Sequence, residues 1–344
     1  MTRKGFTSAL LDWYACNGRD LPWRHCTDPY PIWLSEIILQ QTRIAQGTQY
    51  WERFMERFPT VECLAAASED EVLRLWQGLG YYSRARNLHT AAKQIVAMGG
   101  FPNSYEEIRR LKGVGDYTAA AIASFAYGLP YAAIDGNAYR VLARYYGIET
   151  PINTTAAKKE FTALAQQLLP PRRAADFNQA MMDFGATLCT PTSPRCDECP
   201  LADSCSALHT HRTAALPVKN KTVKMASRHF SLIYIRCQGE TPIMRRPAGD
   251  IWQGLWQPLL VEDEKGRDAV FAQLTQNGQL TLLAKGVKHV LTHRIIYADF
   301  YLLDTSVKPA LPDDYIWIPE KQLHNYAIPR LVERLLDTLP RQSQ

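Results

Sequence analysis

Apolar residues recur every three to four positions up to about residue 205, which is the spacing of helices that bury one face. The stretch from Glu62 to Leu79 shows this period clearly, and residues 176–187 repeat it. Proline and glycine interrupt the pattern at intervals, at Pro59, Gly99-Gly100 and Pro170-Pro171 among others. The pattern therefore predicts an all-α region built from several helices.

From about residue 228 the pattern changes to runs rich in β-branched and aromatic residues. Three of these runs read as strands: HFSLIYIRC at 229–237, QLTLLAKG at 279–286 and IIYADFYLLD at 295–304. Residues 264–276 between them fit one helix. We predict a multidomain α and α+β protein with a helical domain at 1–205, a linker at 206–228 and an α+β domain at 229–344.

Charge adds one local feature to this picture. The formal net charge of the 344-residue chain is +5. Residues 206–230 contain no acidic residue, and they hold a number of basic residues equal to this whole excess: Arg212, Lys219, Lys221, Lys224 and Arg228. A solvated basic linker and a phosphate contact explain the segment equally well. Because the rest of the chain carries no net charge, any DNA-binding face on the domains must arise from the way charged residues are distributed over the folded surface.

No apolar run approaches the roughly 20 residues that a membrane helix needs. Asp12 interrupts the apolar stretch near the N-terminus, so we expect no signal peptide and no membrane association. We place the chain in a reducing cytosol, where clustered cysteines indicate a metal centre rather than disulfides.

Four of the eight cysteines lie close together with the spacing C-x6-C-x2-C-x5-C: Cys189, Cys196, Cys199 and Cys205. Soft thiolates on so short a loop can converge on one metal centre. Zinc ribbons generally pair two short knuckles, whereas only one C-x2-C is present here. A 4Fe-4S cluster held by the loop 189–205 is therefore favoured, and zinc stays as the alternative. The other thiols are expected to be buried or incidental: Cys16, Cys26, Cys63 and Cys237.

A glycine-containing turn precedes an apolar helix in LKGVGDYTAAAIASFAYG, residues 111–128. Gly113 and Gly115 permit positive φ and close approach of another backbone, so the amides of this turn can face a phosphate. A plain turn between helices would look similar, but Asp135 follows about 20 residues after the glycines. We predict a helix-hairpin-helix at about 108–128.

The hairpin, the following aspartate and the cysteine spacing occur in the order found in the endonuclease III-like superfamily. Several segments further resemble the MutY-type adenine glycosylases: LPWR at 21–24, PYPIWLSEIILQQT at 29–42, LWQGLGYYSRARNLH at 75–89, DGN at 135–137 and FNQAMMDFGATLC at 177–189. Two C-terminal segments, RRPAGDIWQGLWQPLL at 245–260 and KHVLTHRIIYADF at 288–300, resemble the family's Nudix-related recognition domain.

This resemblance implies two catalytic carboxyl groups. Releasing a purine is difficult because the base leaves poorly and the sugar becomes oxocarbenium-like, so one acid protonates the base and one carboxylate stabilises the sugar. The family pattern assigns the acid to Glu36 and the carboxylate to Asp135. The apolar residues around Glu36 would raise its pKa above about 4.3. The ordinary alternatives are a surface glutamate on a helix and an aspartate that caps a helix.

Tyr117 decides the class of reaction. In the bifunctional relatives a lysine stands two residues after the second hairpin glycine, where it attacks C1′ and cleaves the strand through a Schiff base. A phenol cannot form that imine, so we predict base release without strand cleavage. The resemblance also implies that Tyr117 and Asn137 support the two carboxyl groups, and that Arg24 lines the same pocket.

The resemblance further implies that adenine is flipped out of the duplex. It places Gln41, Thr42, Leu79 and Tyr81 among the residues that contact DNA, although Leu79 and Tyr81 would also suit an ordinary core. The family's Phe-Ser-His loop, which reads oxidised guanine, appears here as Leu291-Thr292-His293, with the hydroxyl kept and the aromatic ring lost. Lys112 stands where the family often has proline, and it adds a candidate phosphate contact.

We therefore expect a monomeric, monofunctional adenine DNA glycosylase of base excision repair. Its expected substrate is double-stranded DNA with adenine opposite 8-oxoguanine or guanine. One alternative is an endonuclease III-like glycosylase/lyase, which Tyr117 and the C-terminal region disfavour. A non-catalytic lesion-binding protein would not need both carboxyl groups. A Nudix hydrolase would need an R-E-x-x-E-E array, which residues 249–276 lack, so we expect no pyrophosphohydrolase activity.

Overall fold

The computed structural model describes residues 3–220, 225–262, 264–276 and 278–340. The chain forms two compact units, of which the first comprises residues 1–66 and 87–222 and the second residues 67–86 and 223–344. Within the described ranges, every helix is too short or too polar to span a bilayer.

The first unit is helical. In chain order the helices of the described residues are α1 Arg3–Asn17, α2 Pro29–Ile38, α3 Ile44–Arg57, α4 Val61–Ala66, α5 Glu69–Leu75, α6 Ser83–Ala97, α7 Tyr105–Arg110, α8 Asp116–Tyr127, α9 Gly136–Tyr146, α10 Thr155–Leu168, α11 Ala174–Thr187, α12 Ser206–His209, α13 Glu264–Leu274 and α14 Arg330–Leu336. α5, α13 and α14 belong to the second unit, as do residues 83–86 at the start of α6. One hydrophobic core of the first unit is formed by α1, α9, α10 and α11 around Phe6, Phe161 and Phe177.

The helical spacing predicted the buried faces better than the helix ends. Residues 176–187 lie within α11, as predicted. The single periodic stretch from Glu62 to Leu79 is divided between α4 and α5 instead. The Ser68 side chain accepts a hydrogen bond from the Glu71 amide and starts a new helix there. Gly78 and Gly80, at φ +98° and +72°, then place the chain in a conformation outside the helical region.

The second unit is built on a mixed sheet. Its described strands are β1 Ala226–Cys237, β2 Glu240–Arg245, β3 Trp256–Gln257, β4 Leu259–Val261, β5 Gly278–Val290, β6 Arg294–Thr305 and β7 Tyr315–Pro319. The main order is β3-β2-β1-β6-β5, with β4 on β1 and β7 on β2. β1 and β6 are parallel, from Ala226 opposite Arg294 to Cys237 opposite Thr305. The three predicted strands are confirmed as parts of β1, β5 and β6. The helix predicted at 264–276 is confirmed as α13, which ends at Leu274.

The segment expected to be a linker, 206–228, is largely folded. It contains α12, the side chain of Leu216 is 2% exposed, and the Ile152 amide donates to the Val218 carbonyl at 2.9 Å. The end of the segment already belongs to β1. Lys221 and Lys224 lie outside the described residues.

The basic residues of this segment find acids that are distant in sequence. Arg212 pairs with Glu149, and Arg228 pairs with both Asp250 and Glu262. The local absence of acids in the sequence therefore does not leave Arg212 and Arg228 as free charges.

Candidate active site

A cavity of about 600 Å³ in the first unit collects most of the predicted catalytic residues. It is lined by α2 and the residues after it, by the starts of α8 and α9, and by α11. The predicted residues that share its wall are Arg24, Glu36, Gln41, Thr42, Tyr117, Asp135 and Asn137. Gln41 adopts a left-handed conformation, with φ +62°, where it lines the cavity. Such a conformation is uncommon for a residue with a side chain.

Glu36 lies on α2, whose apolar residues bury it so that the whole residue is 8% exposed. The Tyr117 hydroxyl donates a hydrogen bond of 2.7 Å to Glu36 Oε2. Burial raises the pKa of Glu36 to about 7, since it outweighs the opposing effect of the Tyr117 hydrogen bond, and the charge of Asp135 raises the pKa further. Glu36 therefore holds a proton near neutral pH, as the apolar sequence around it predicted.

Asp135 is the N-cap of α9, so the capping role considered from the sequence is present. Its Oδ1 accepts from the Ala138 amide and its Oδ2 from Asn137 Nδ2, each at 2.7 Å. Burial raises the pKa of Asp135, and these two hydrogen bonds oppose the rise. Both oxygens of Asp135 thus accept a hydrogen bond that favours the carboxylate form. Glu36 has one such bond, so the two acids lie in unlike environments.

Arg140, which the motifs did not identify, supports this arrangement from behind. It is 9% exposed, and its Nη2 donates to Asn137 Oδ1 at 2.7 Å and to the Gly185 carbonyl at 2.6 Å. Its Nε donates to the Cys189 carbonyl at 2.8 Å. Arg140 therefore fixes the Asn137 amide so that its NH₂ group faces Asp135. The signal in the sequence was a basic residue three positions after Asn137, on the same helical face.

A second group missed from the sequence is the fully buried Asp183. It accepts from Arg24 Nη1 and Nη2 at 2.8 and 2.9 Å, and from Arg19 Nε at 2.7 Å. Burial acts to raise the pKa of Asp183, but the hydrogen bonds from Arg24 and Arg19 outweigh it and leave the pKa lowered. Asp183 thus anchors Arg24 at the cavity wall. A lone acid inside the apolar stretch MMDFG was the available signal.

Gly185 allows α11 to approach the start of α9. A Cβ at this position would lie 2.5 Å from Asn137 Cβ and 3.0 Å from Asn137 Cα. Only a residue without a side chain fits this contact, which brings Asn137 next to Asp135.

The predicted hairpin forms between α7 and α8. Leu111 and Val114 are buried and anchor the turn, while Gly113 adopts φ +79° and Gly115 is the N-cap of α8. Both glycines line a second cavity of about 480 Å³. Lys112 is exposed, and its backbone amide donates to Gln94 Oε1 at 2.8 Å.

The four clustered cysteines line one small cavity. In the described part of the chain no three His, Cys, Asp or Glu side chains are arranged to hold a single metal ion. The cysteine sulfurs surround a space instead, and soft thiolates are the ligands that an iron–sulfur cluster requires. The donor set therefore fits a cluster, whose ligands would be Cys189, Cys196, Cys199 and Cys205. Of the other cysteines, Cys237 is buried and Cys16, Cys26 and Cys63 are exposed.

The remaining predicted contact residues belong to the second unit. Leu79 is half-buried, whereas Tyr81 is 46% exposed and adopts φ +47°. The turn between β5 and β6 is closed by the Leu291 amide, which donates to the Arg294 carbonyl at 2.8 Å. Leu291 packs on the core of the sheet, and both Thr292 and His293 are exposed. The hydroxyl oxygens of Tyr81 and Thr292 are 2.5 Å apart.

Comparison with known proteins first defines the class. Residues 34–171 match the HhH-GPD superfamily of base excision DNA repair proteins, 189–205 match the iron-sulfur binding domain of endonuclease III, and 231–338 match the NUDIX domain. A thermostable thymine-DNA glycosylase structure is 32% identical with a TM-score of 0.57, covering 60% of this chain and 97% of its own. An endonuclease III–DNA covalent intermediate, 21% identical with a TM-score of 0.54, shares the fold over 61% of this chain and 99% of its own. The predicted fold class and iron–sulfur cluster are confirmed.

Two comparisons that cover about three quarters or more of both chains then define the family. The adenine DNA glycosylase of Buchnera aphidicola (strain Bp) is 34% identical over 86% of this chain and 85% of its own length. That of strain APS is 35% identical over 74% of each. The chain belongs to the adenine DNA glycosylase family. The chain spans only 48% of the length of the Arabidopsis thaliana relative and 39% of the human relative. The identity is 36% over 76% of this chain for the first and 44% over 59% of this chain for the second.

Proposed function

We propose that this protein hydrolyses the N-glycosidic bond of adenine in double-stranded DNA, opposite 8-oxoguanine or guanine, in base excision repair. The observation that carries the proposal is the pair of carboxyl groups, Glu36 and Asp135, which face one cavity in unlike environments. Family membership supports adenine as the base, and the helix-hairpin-helix supports DNA as the substrate.

In this proposal the flipped adenine enters the cavity and takes a proton on a ring nitrogen from Glu36. Protonation makes the base a better leaving group, and the bond to C1′ breaks with positive charge developing on the sugar. The Asp135 carboxylate, which accepts hydrogen bonds from Asn137 Nδ2 and the Ala138 amide, stabilises that charge. Water then adds at C1′ and leaves an abasic site.

Tyr117 supports the absence of strand cleavage. Burial raises the pKa of its phenol well above 10, and the hydroxyl donates a hydrogen bond to Glu36 Oε2. A neutral phenol in that bond cannot form an imine with the sugar. Its role is to orient the Glu36 carboxyl group, so we propose a monofunctional enzyme. We also propose that the enzyme acts as a monomer.

We further propose that Thr292 reads the oxidised guanine. The exposed turn 291–293 and the hydroxyl pair of Thr292 and Tyr81 support this role, because together they present polar groups on the second unit. Leu291 packs inward, so the aromatic ring that the family usually has at this position is replaced here by a structural anchor.

The test is a base-release assay on duplexes with adenine opposite 8-oxoguanine, guanine or thymine, and with thymine opposite guanine. The last duplex is included because the 32% identical structure is a thymine-DNA glycosylase. We expect release of adenine from the first two duplexes, with strand breaks only after alkali. Release of thymine alone would refute the proposed base, and borohydride trapping of the protein on DNA would refute the monofunctional reaction.

Three variants assign the roles. Glu36→Gln keeps the size of the side chain but not the acid, so base release should fall about 10²–10⁴-fold. Glu56→Gln, on the exposed face of α3, is the matched control. Thr292→Ala should weaken the preference for 8-oxoguanine over guanine, whereas an equal loss on both duplexes would contradict the reading role.

A further inference from the structure

Arg144, on α9, is a buried cation whose described contacts include no carboxylate. It is 2% exposed, and no Asp or Glu of the described residues forms an ion pair with it at 4.0 Å or less. Its hydrogen-bond acceptors are the carbonyls of Leu216 at 3.1 Å, Thr190 at 2.7 Å, Pro191 at 2.9 Å and Cys189 at 3.5 Å. Carbonyls satisfy the N–H groups but leave the positive charge without a counter-charge.

The remaining hydrogen-bond contact of the Arg144 side chain is to sulfur. Its Nη1 lies 3.4 Å from Cys189 Sγ, and Arg144 lines the small cavity that the four cysteines surround. When these cysteines ligate a cluster they are thiolates, and four thiolates outweigh the positive charge of the iron–sulfide core. A net anion then faces a guanidinium that is itself only 2% exposed.

We propose that Arg144 is the counter-ion of the iron–sulfur cluster and raises its reduction potential. Burying a charge is costly unless an opposite charge accompanies it, and the thiolate-ligated cluster supplies that charge. The same attraction favours the more negative, reduced form of the cluster over the oxidised form. Hydrogen bonds to cluster sulfurs act in the same direction.

Arg144 also makes the loop and its neighbouring segment depend on one side chain. The carbonyls of Thr190 and Pro191 belong to the cysteine loop, while that of Leu216 belongs to the buried segment after α12. One planar guanidinium therefore holds both segments at the sulfur. Lysine would keep the charge but could not supply donors in this fork geometry.

Arg195 offers a matched control. It also lines the cysteine cavity and is adjacent to Cys196, but its side chain is 52% exposed and pairs with Glu198 at 2.9 Å. Solvent and Glu198 screen its charge from the cluster. Removing it should change the cluster far less than removing the charge of Arg144.

The experiment measures iron content and cluster midpoint potential by voltammetry on the whole purified protein without DNA, so its outcome is independent of the base-release assay. In Arg144→Gln the ratio of oxidised to reduced cluster at a fixed potential should rise about tenfold, a 59 mV lower midpoint for one electron. Arg195→Gln should match the wild type. Full iron content with a wild-type midpoint in Arg144→Gln would overturn the proposal.

If Arg144→Gln does not retain iron, Arg144→Lys decides. Lysine restores the charge without the fork of donors, so a counter-ion role predicts that Arg144→Lys retains clearly more iron than Arg144→Gln. The proposal would be overturned if the lysine variant lost as much iron as the glutamine variant. The loop would then require the geometry of the arginine side chain rather than its charge.

Discussion

The acid that we assign to catalysis should destabilise the folded protein at neutral and alkaline pH. Glu36 is 8% exposed, and its pKa rises from an ordinary 4.5 to about 7 because burial penalises the carboxylate. Below pH 4.5 Glu36 is protonated in both the folded and the unfolded chain and contributes nothing. As pH rises the unfolded chain releases this proton first, so folding stability falls and levels off above pH 7.

The size of this effect follows from the two pKa values. The difference between 4.5 and about 7, at about 1.36 kcal/mol per pH unit, is about 3 kcal/mol of lost stability above pH 8. Glu36→Gln removes the ionisable group and leaves an oxygen that can accept from Tyr117. The variant should therefore match the wild type near pH 4.5 and be about 3 kcal/mol more stable at pH 8.5. For a unit of this size the gain corresponds to roughly 6–12 °C in Tm.

The assay is thermal unfolding followed by circular dichroism at pH 4.5, 5.5, 6.5, 7.5 and 8.5, with iron content matched between samples. Groups remote from Glu36 titrate equally in both proteins, so the difference in Tm reports on Glu36 together with the groups coupled to it, Asp135 and Tyr117. Glu56→Gln, which removes an exposed carboxyl group, should give no such pH-dependent difference. A Tm difference between Glu36→Gln and wild type that stays constant from pH 4.5 to 8.5 would refute the claim that burial holds the proton on Glu36.

Three further predictions test the neighbours of this acid. Tyr117→Phe removes the hydrogen bond that lowers the pKa of Glu36, so the alkaline limb of the base-release pH profile should move to higher pH; an unmoved limb would contradict this role. Gly185→Ala brings a Cβ to 2.5 Å from Asn137 Cβ and should displace Asn137. Base release should then fall at least about tenfold, and the free energy of unfolding measured with urea should fall by about 1–3 kcal/mol. Wild-type values for both measurements would show that the contact relaxes. Asp183→Ala leaves Arg19 and Arg24 without their shared acid, so the free energy of unfolding in the same urea assay should fall by about 3–5 kcal/mol. A decrease of less than about 1 kcal/mol would contradict this expectation.

The sequence predicted the elements of this fold where one local rule decided them. β-Branched and aromatic content identified the long strands β1 and β6, and helical spacing identified α11. It did not reveal that β1 pairs with β6 in parallel, because pairing depends on residues some 60–70 positions away. It also did not show that Ser68 would divide one periodic stretch into two helices, because the spacing of apolar residues does not register a local capping bond such as that from the Glu71 amide to Ser68.

The candidate site divides in a similar way. Motifs identified the residues that face the cavity, since chemistry restricts the residue types at those positions. They did not identify Arg140, Asp183 or Gly185, which act on those residues from behind. Arginine and aspartate usually lie at the surface, so their burial is visible only when the whole helix packing is known.

One face of α9 connects the candidate pocket with the cysteine loop in this unit. Asn137, Arg140 and Arg144 fall at the i, i+3 and i+7 positions of one helix, which place them along the same face. Asn137 orients Asp135 at the N-terminal end, Arg140 joins Asn137 to the Cys189 carbonyl, and Arg144 reaches Cys189 Sγ. A displacement of Cys189 would therefore withdraw an acceptor from Arg140 and loosen the amide that holds Asp135. The cysteine loop thus contributes to the geometry of the candidate pocket, although its four cysteines are not among the residues that line it.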